Sequence, residues 1–166
     1  MRQGCAIEPS RPVVTTLVLA SAMGAIREET QMPHTYVTSG EGVPPSVAPF
    51  SAAVVAGDIC FISGQPAIDP ASGQFRPGTV EEEFAVAFSN VLAIAKAAGF
   101  AATDLTYVHV ALADIGDYGA VNAVYRDVLG NPDDLPARLA YAVSALPFGA
   151  KVEVQAIAVR PDTSPE

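Results

Sequence analysis

Residues 79–99 carry a complete helix signature, and whatever this chain folds into must be built around that helix. Thr79 followed by Glu82 is a capping-box pattern, in which side chain and backbone satisfy each other's orphan groups. Phe84, Ala87, Phe88, Val91, Leu92, Ala95 and Ala98 recur on a helical period, and Gly99 supplies the stop. A stripe that wide must be buried against another layer. The flanking segments supply one. Residues 51–56 and 58–63 are short, apolar and partly β-branched, with Gly57 between them as a hairpin turn. Residues 105–113 alternate, with Val108, Val110 and Leu112 on one face. Asp117 is positioned to cap a second helix that runs to Leu129 and ends at Gly130, with Tyr118, Val121, Val124, Tyr125 and Val128 as its stripe. Two further strand-like runs, 139–144 and 151–159, flank Leu146-Pro147-Phe148-Gly149-Ala150 and read as a β-hairpin. The order is ββαβαββ: an α+β single domain with two helices on one face of a mixed sheet.

That arrangement leaves a sheet face uncovered. Tyr107, His109, Ala111, Ile157 and Val159 point away from the helices. Association through this face removes apolar area from water at about 25 cal/mol per Å², so a partner surface is expected there.

Composition narrows the function classes. The 166 residues are 50% hydrophobic and 16% charged, which is a globular balance and favours one domain. The formal net charge of −9 repels phosphate backbones and anionic membranes, so neither nucleic acid nor membrane is an expected partner. Cys5 and Cys60 are the only cysteines; no disulfide framework follows, a reducing compartment fits, and Cys60 reads as a small buried hydrophobe. His34 and His109 lack the cysteine or acidic spacing of a metal site, and no glycine-rich phosphate loop or Schiff-base lysine is visible; Lys96 and Lys151 both read as exposed. No metal or cofactor is expected.

Residues 1–45 differ from the rest and read as an N-terminal extension, loosely ordered and without catalytic function, ahead of a domain at 46–160 and a flexible tail at 161–166. Residues 13–22 form a modest apolar run that follows Arg2 and Arg11 and ends in Ala20-Ser21-Ala22, an export-signal-like pattern, although Glu8 and Pro12 disturb it. The other reading is an upstream extension or a start at Met23 or Met32. The location expected is cytoplasmic, with export as the alternative if residues 1–22 act as a signal. The run is too short to span a bilayer.

The chemistry centres on Pro136-Ala137-Arg138 and on Glu153. A guanidinium is permanently charged, and its planar fork of donors matches a carboxylate. Placed in a cleft, Arg138 anchors a small carboxylic acid; otherwise it is an edge-strand arginine, solvated or paired with Glu153.

The segment from about 47 to 160 resembles the Rid family, the reactive-intermediate deaminases also called YjgF-like proteins. The resemblance rests on Ala48-Pro49-Phe50-Ser51, on Phe61-Ile62-Ser63-Gly64-Gln65 with Asp69-Pro70 and Gly73, and on Ala97-Ala98-Gly99. It continues through Asp114, Tyr118, Val121-Asn122-Ala123-Val124-Tyr125, Pro136-Ala137-Arg138, Ala145-Leu146-Pro147 and Val152-Glu153-Val154. The resemblance implies a chorismate-mutase-like fold and a homotrimer with a barrel-like centre and clefts between subunits. It implies hydrolysis of 2-aminoacrylate-type enamines and imines to 2-oxo acids and ammonia. Arg138 is then the carboxylate anchor and Glu153 the acid that orients or activates water, while Phe50, Ser63 and Asn122 line the substrate site. Asn122 also fits a plain exposed helix position, and Ser63 has no arguable His/Asp partner that would make it a nucleophile. Leu139, Ala140 and Ala52 stand where the family carries polar residues, implying a more apolar pocket and a bulkier substrate. A non-catalytic binder of small carboxylates or 2-oxo acids, and a deaminase of a ring-cleavage product such as an aminomuconate, remain as alternatives.

Overall fold

The computed structural model describes residues 34–130 and 132–161; the expectations for an upstream leader and for the end of the tail lie outside them. The elements are β1 (Thr35–Val37), β2 (Ala53–Ala56), β3 (Ile59–Gln65), α1 (Val80–Ala97), β4 (Leu105–Leu112), α2 (Tyr118–Leu129), β5 (Ala137–Ala142) and β6 (Val152–Val159). They form one mixed six-stranded sheet in the order β1-β2-β3-β6-β4-β5.

The expected α+β architecture is present, and its anchor is α1. Thr79 Oγ1 accepts the Glu82 N–H at 3.3 Å, and Glu82 Oε2 accepts the Thr79 N–H at 2.9 Å, closing the capping box. Phe84, Ala87, Phe88, Val91, Ile94 and Ala95 are buried against the sheet, where Val108, Val110, Leu112, Val152 and Val154 are wholly buried in return. Along β4 and β6 burial alternates as the pleat requires, with Tyr107, His109, Ala111, Ile157 and Val159 on the other, more open face.

Three readings from sequence change. First, 139–144 and 151–159 are not a hairpin. β4 lies between β5 and β6, antiparallel to β6 and parallel to β5, so β4-α2-β5 is a crossover unit. The segment after β5 passes over the end of β4: the Val143 N–H donates to the Leu112 carbonyl at 2.8 Å, and the Ala113 N–H donates to the Lys151 carbonyl at 2.8 Å. The Pro/Gly punctuation was real, but it serves this strap and not a tight turn.

Second, the sheet begins inside the stretch assigned to the extension. β1 pairs antiparallel with β2, and Val37 and Val43 join the core. Third, Asp117 makes no side-chain cap. Asp114 does so one turn earlier, its Oδ1 accepting the Gly116 N–H at 2.8 Å, and of the expected α2 stripe Tyr118 and Val128 remain exposed. Lys151 is exposed as expected, and its ammonium also lies 3.1 Å from Glu83 Oε1, whose side chain is fully buried.

Candidate active site

The residues expected to act together fall into two groups on opposite faces of the sheet. Arg138 is in register with Val108, on the helix-covered face, and Glu153 is in register with Ala111, on the open one. With the two on opposite faces of the sheet, the edge-strand ion pair between Arg138 and Glu153 does not form. Within one chain the two do not share a cleft.

On its face, Arg138 is held by α2. Its guanidinium donates to the Tyr118 hydroxyl at 3.1 Å and to Asn122 Oδ1, and it lies 4.6 Å from the centroid of the Tyr125 ring. Tyr125 is itself locked into the core beside Phe84 and Phe88, with ring centroids 6.2 and 5.6 Å away. The arginine therefore rests on a rigid aromatic platform, a cation–π arrangement that fixes the plane of its fork. The positive charge lowers the Tyr118 hydroxyl from its ordinary value, chiefly through their hydrogen bond; burial raises that of Tyr125. Leu135 and Pro136 help to wall the open cavity in front of Arg138 and Asn122. Asn122 is thus part of this group and not a neutral surface residue.

The second group surrounds Glu153. A cavity of about 320 Å³ is lined by Val47, Phe50, Ser63, Pro66, Phe148 and Glu153, among others, and its surface is mainly apolar. Burial pushes the Glu153 carboxyl above its ordinary value, with His109 acting as a smaller opposing influence. The Ser-Gly-Gln run of β3 shapes the floor. Ser63 donates its hydroxyl to the Ser51 carbonyl at 2.8 Å, tying β3 to the segment that carries Phe50. Gly64 leaves room for the acid: a Cβ there would overlap Glu153 Oε1 and lie 2.9 Å from its Cδ. Gln65 is buried, and its side-chain amide donates to the Ser63 and Gly64 carbonyls at 3.1 Å, holding the irregular register between Ile62 and Gln65.

Two buried polar residues of α1 were not singled out from sequence. Glu83 accepts the Lys151 N–H at 2.7 Å, the Lys151 ammonium at 3.1 Å and the Gly78 N–H at 3.3 Å, pinning the chain two residues before Glu153. Asn90 donates to the Ile68 carbonyl at 2.8 Å and steadies the loop that bears Pro66. Glu83 reads in sequence as one of three acids in a first helical turn, where acids are common for dipole reasons alone. Its burial is a tertiary fact.

The substituted positions sit elsewhere than expected. Ala52 is buried under the sheet, Ala140 packs against the core, and Leu139 is exposed on the face opposite Arg138. None lines the Glu153 cavity, whose apolar character comes from Phe50, Phe148 and the neighbouring valine and prolines. Cys60 is fully buried, and burial raises its thiol to about 11, which fits a packing role. Among the described residues no group of His, Cys, Asp or Glu is arranged to hold a metal ion, and no helix is long and apolar enough to cross a membrane.

Comparison with known proteins agrees with this geometry. A family model described as Endoribonuclease L-PSP matches residues 41–160. A goat (Capra hircus) protein named 2-iminobutanoate/2-iminopropanoate deaminase is 45% identical over 124 residues, covering 75% of this chain and 89% of the relative. Its human counterpart is 40% identical over the same length. Escherichia coli TdcF, solved with bound serine, superposes with a TM-score of 0.71 at 30% identity, covering 76% of this chain and all of that one. With the matched segment spanning β2 to β6, both helices and every candidate site residue, the chain belongs to the Endoribonuclease L-PSP family, the YjgF/Rid group.

Proposed function

We propose that the protein is a hydrolytic deaminase of 2-imino acids and their enamine tautomers, releasing 2-oxo acids and ammonia. The observation that carries this is the guanidinium of Arg138, preoriented by Tyr118, Asn122 and Tyr125, in a chain 45% identical to a named 2-iminobutanoate/2-iminopropanoate deaminase. The active assembly is a homotrimer. The open sheet face, with Phe61, Leu139 and Tyr141 exposed at 46%, 46% and 39%, is the surface that association would bury. A neighbouring copy then brings its Arg138 to the Glu153 cavity, which resolves the separation of the two residues within one chain.

In that cleft Arg138, squared by Asn122 and Tyr118, binds the substrate carboxylate. Phe50 and Ser63 border the reacting carbon. Glu153 accepts a proton from water as the water oxygen bonds to the imine carbon, giving a carbinolamine. The same carboxyl returns the proton to nitrogen, the C–N bond breaks to release ammonia, and the hydroxyl proton passes by way of the Glu153 carboxylate to that ammonia as the carbonyl forms. The sum is iminium plus water going to 2-oxo acid plus ammonium. Imines already react with water, so orientation and exclusion of bulk solvent supply most of what is needed. The net charge of −9 disfavours a polyanionic substrate such as RNA. A cytoplasmic setting, beside the enzymes that shed such imines, completes the proposal.

The test is to generate 2-iminopropanoate in situ with an amino-acid oxidase and to follow the 2-oxo acid with and without the protein, while light scattering reads its mass. Acceleration by a trimer is the expected result. An uncatalysed rate overturns the deaminase reading, and a stable monomer at micromolar concentration overturns the shared cleft.

A further inference from the structure

Phe148 is the one described residue other than glycine with a positive φ, at 62°. A bulky side chain rarely adopts that conformation, so something must hold it there. The strap over β4 does. The Gly149 N–H donates to the Leu146 carbonyl at 3.3 Å and the Ala150 N–H to the Pro147 carbonyl at 3.1 Å, and Glu83 clamps the following Lys151. The ring is not folded into the core; it is 55% exposed and stacks on Phe75 with centroids 6.0 Å apart. Phe75 is in turn placed by the Ile68–Phe75 bridge, beneath which Asn90 holds the Ile68 carbonyl. The chain thus uses an unfavourable backbone conformation, a ring stack and buried polar ties to present one aromatic face.

Phe148 lines the Glu153 cavity together with a second ring, Phe50, and with Val47, Pro66 and Pro147. The volume within one chain, about 320 Å³, lies at the lower end of the range for small-molecule sites, about 300–1,000 Å³. The lining is mainly apolar, with Ser63 and Glu153 supplying its polar side chains.

We infer that Phe148 is a specificity-determining residue, and that the preferred substrates are 2-imino acids with aryl or branched-alkyl side chains, not 2-iminopropanoate. The inference rests on the deaminase reading above and deepens it. With the carboxylate on Arg138 and the imine carbon beside Glu153, the side chain of the substrate lies between Phe50 and Phe148. A matched apolar pocket discriminates by about 10-fold or more per added group of methylene size.

The experiment compares acceleration of hydrolysis for imines made in situ from L-alanine, L-leucine and L-phenylalanine. Wild type is expected to accelerate the two larger imines at least about 10-fold more than 2-iminopropanoate. Phe148→Asn removes the ring while tolerating the left-handed backbone, and should lower the large-to-small ratio by about 10-fold. Phe148→Gly, which adopts that backbone freely, should do the same, and circular dichroism with light scattering confirms that at least one variant is folded and assembled. An unchanged ratio in the folded variants, or a wild type that prefers 2-iminopropanoate, overturns the specificity assignment while leaving the deaminase reading standing. No acceleration of any imine overturns both.

Discussion

Arg138→Ala is expected to lower imine turnover by about 30- to 1,000-fold while the protein stays folded and assembled. A charge-assisted, two-pronged contact in a sheltered site is worth about 2–4 kcal/mol. Most of that is realised only if the fork is already oriented. Here it is: Tyr118 and Asn122 fix the edge of the guanidinium and Tyr125 its plane, so little freedom is lost when a carboxylate arrives. Arg138→Lys should recover only part of the loss, because an ammonium lacks the planar fork and cannot use the same two side-chain acceptors together with substrate. Equal turnover of 2-iminopropanoate by wild type and Arg138→Ala would refute the anchor. Equal ligand affinity, with no turnover in either protein, would point to a binder that does not depend on this arginine.

Glu153→Gln is expected to retain carboxylate binding and to slow turnover by about 100-fold, at the lower end of what a positioned base contributes. Its pH behaviour carries a second signature. Burial raises the carboxyl above its ordinary 4.5, so the acid limb of the wild-type rate should fall at a higher pH than an exposed glutamate would give. The stability consequence has the opposite sense. A carboxyl whose folded value exceeds its unfolded one favours the fold most below the unfolded value, and that contribution is lost as pH rises through the folded value. Within one chain ionised Glu153 therefore costs stability at neutral pH, and in an Arg138→Ala background, which removes the neighbour's compensating charge, Glu153→Gln should melt higher there, with the gap closing below 4.5. A glutamine variant that melts lower in that background at neutral pH, or a wild-type rate already at its plateau near pH 4.5, would show that the carboxylate is not desolvated. The active form of this residue is the one the fold disfavours, which is a common state for a functional acid.

Much of the architecture could be read along the chain because it is local. The caps and stripe of α1 lie within twenty-odd residues, and the alternation of β4 is visible in eight. Strand order is different in kind. Nothing in residues 137–159 indicates that β4, from twenty-five residues upstream, slides between β5 and β6; a Pro/Gly segment that closes a hairpin and one that straps across a strand end share the same composition. β1 was missed because three residues, two of them exposed, carry no periodicity. The candidate site residues were named through a resemblance in which each short motif occupies its place. Their division between the two faces was not, since it depends on parity in a register that local sequence does not encode. Glu83, Asn90 and Phe148 were passed over for a related reason: two polar helix residues and a turn aromatic look ordinary until long-range contacts give them work.

The placement of Arg138 and Glu153 on opposite faces has a genetic corollary. In a ring where each cleft takes its arginine from one subunit and its acid from the next, two dead alleles can rescue each other. A trimer mixed from Arg138→Ala and Glu153→Gln chains always contains one cleft that draws Arg138 from the second chain and Glu153 from the first. Random equal assembly leaves about a quarter of all clefts intact. Co-expressing the two variants should therefore restore about a quarter of the wild-type rate, whereas mixing the separately assembled proteins, without subunit exchange, should restore none.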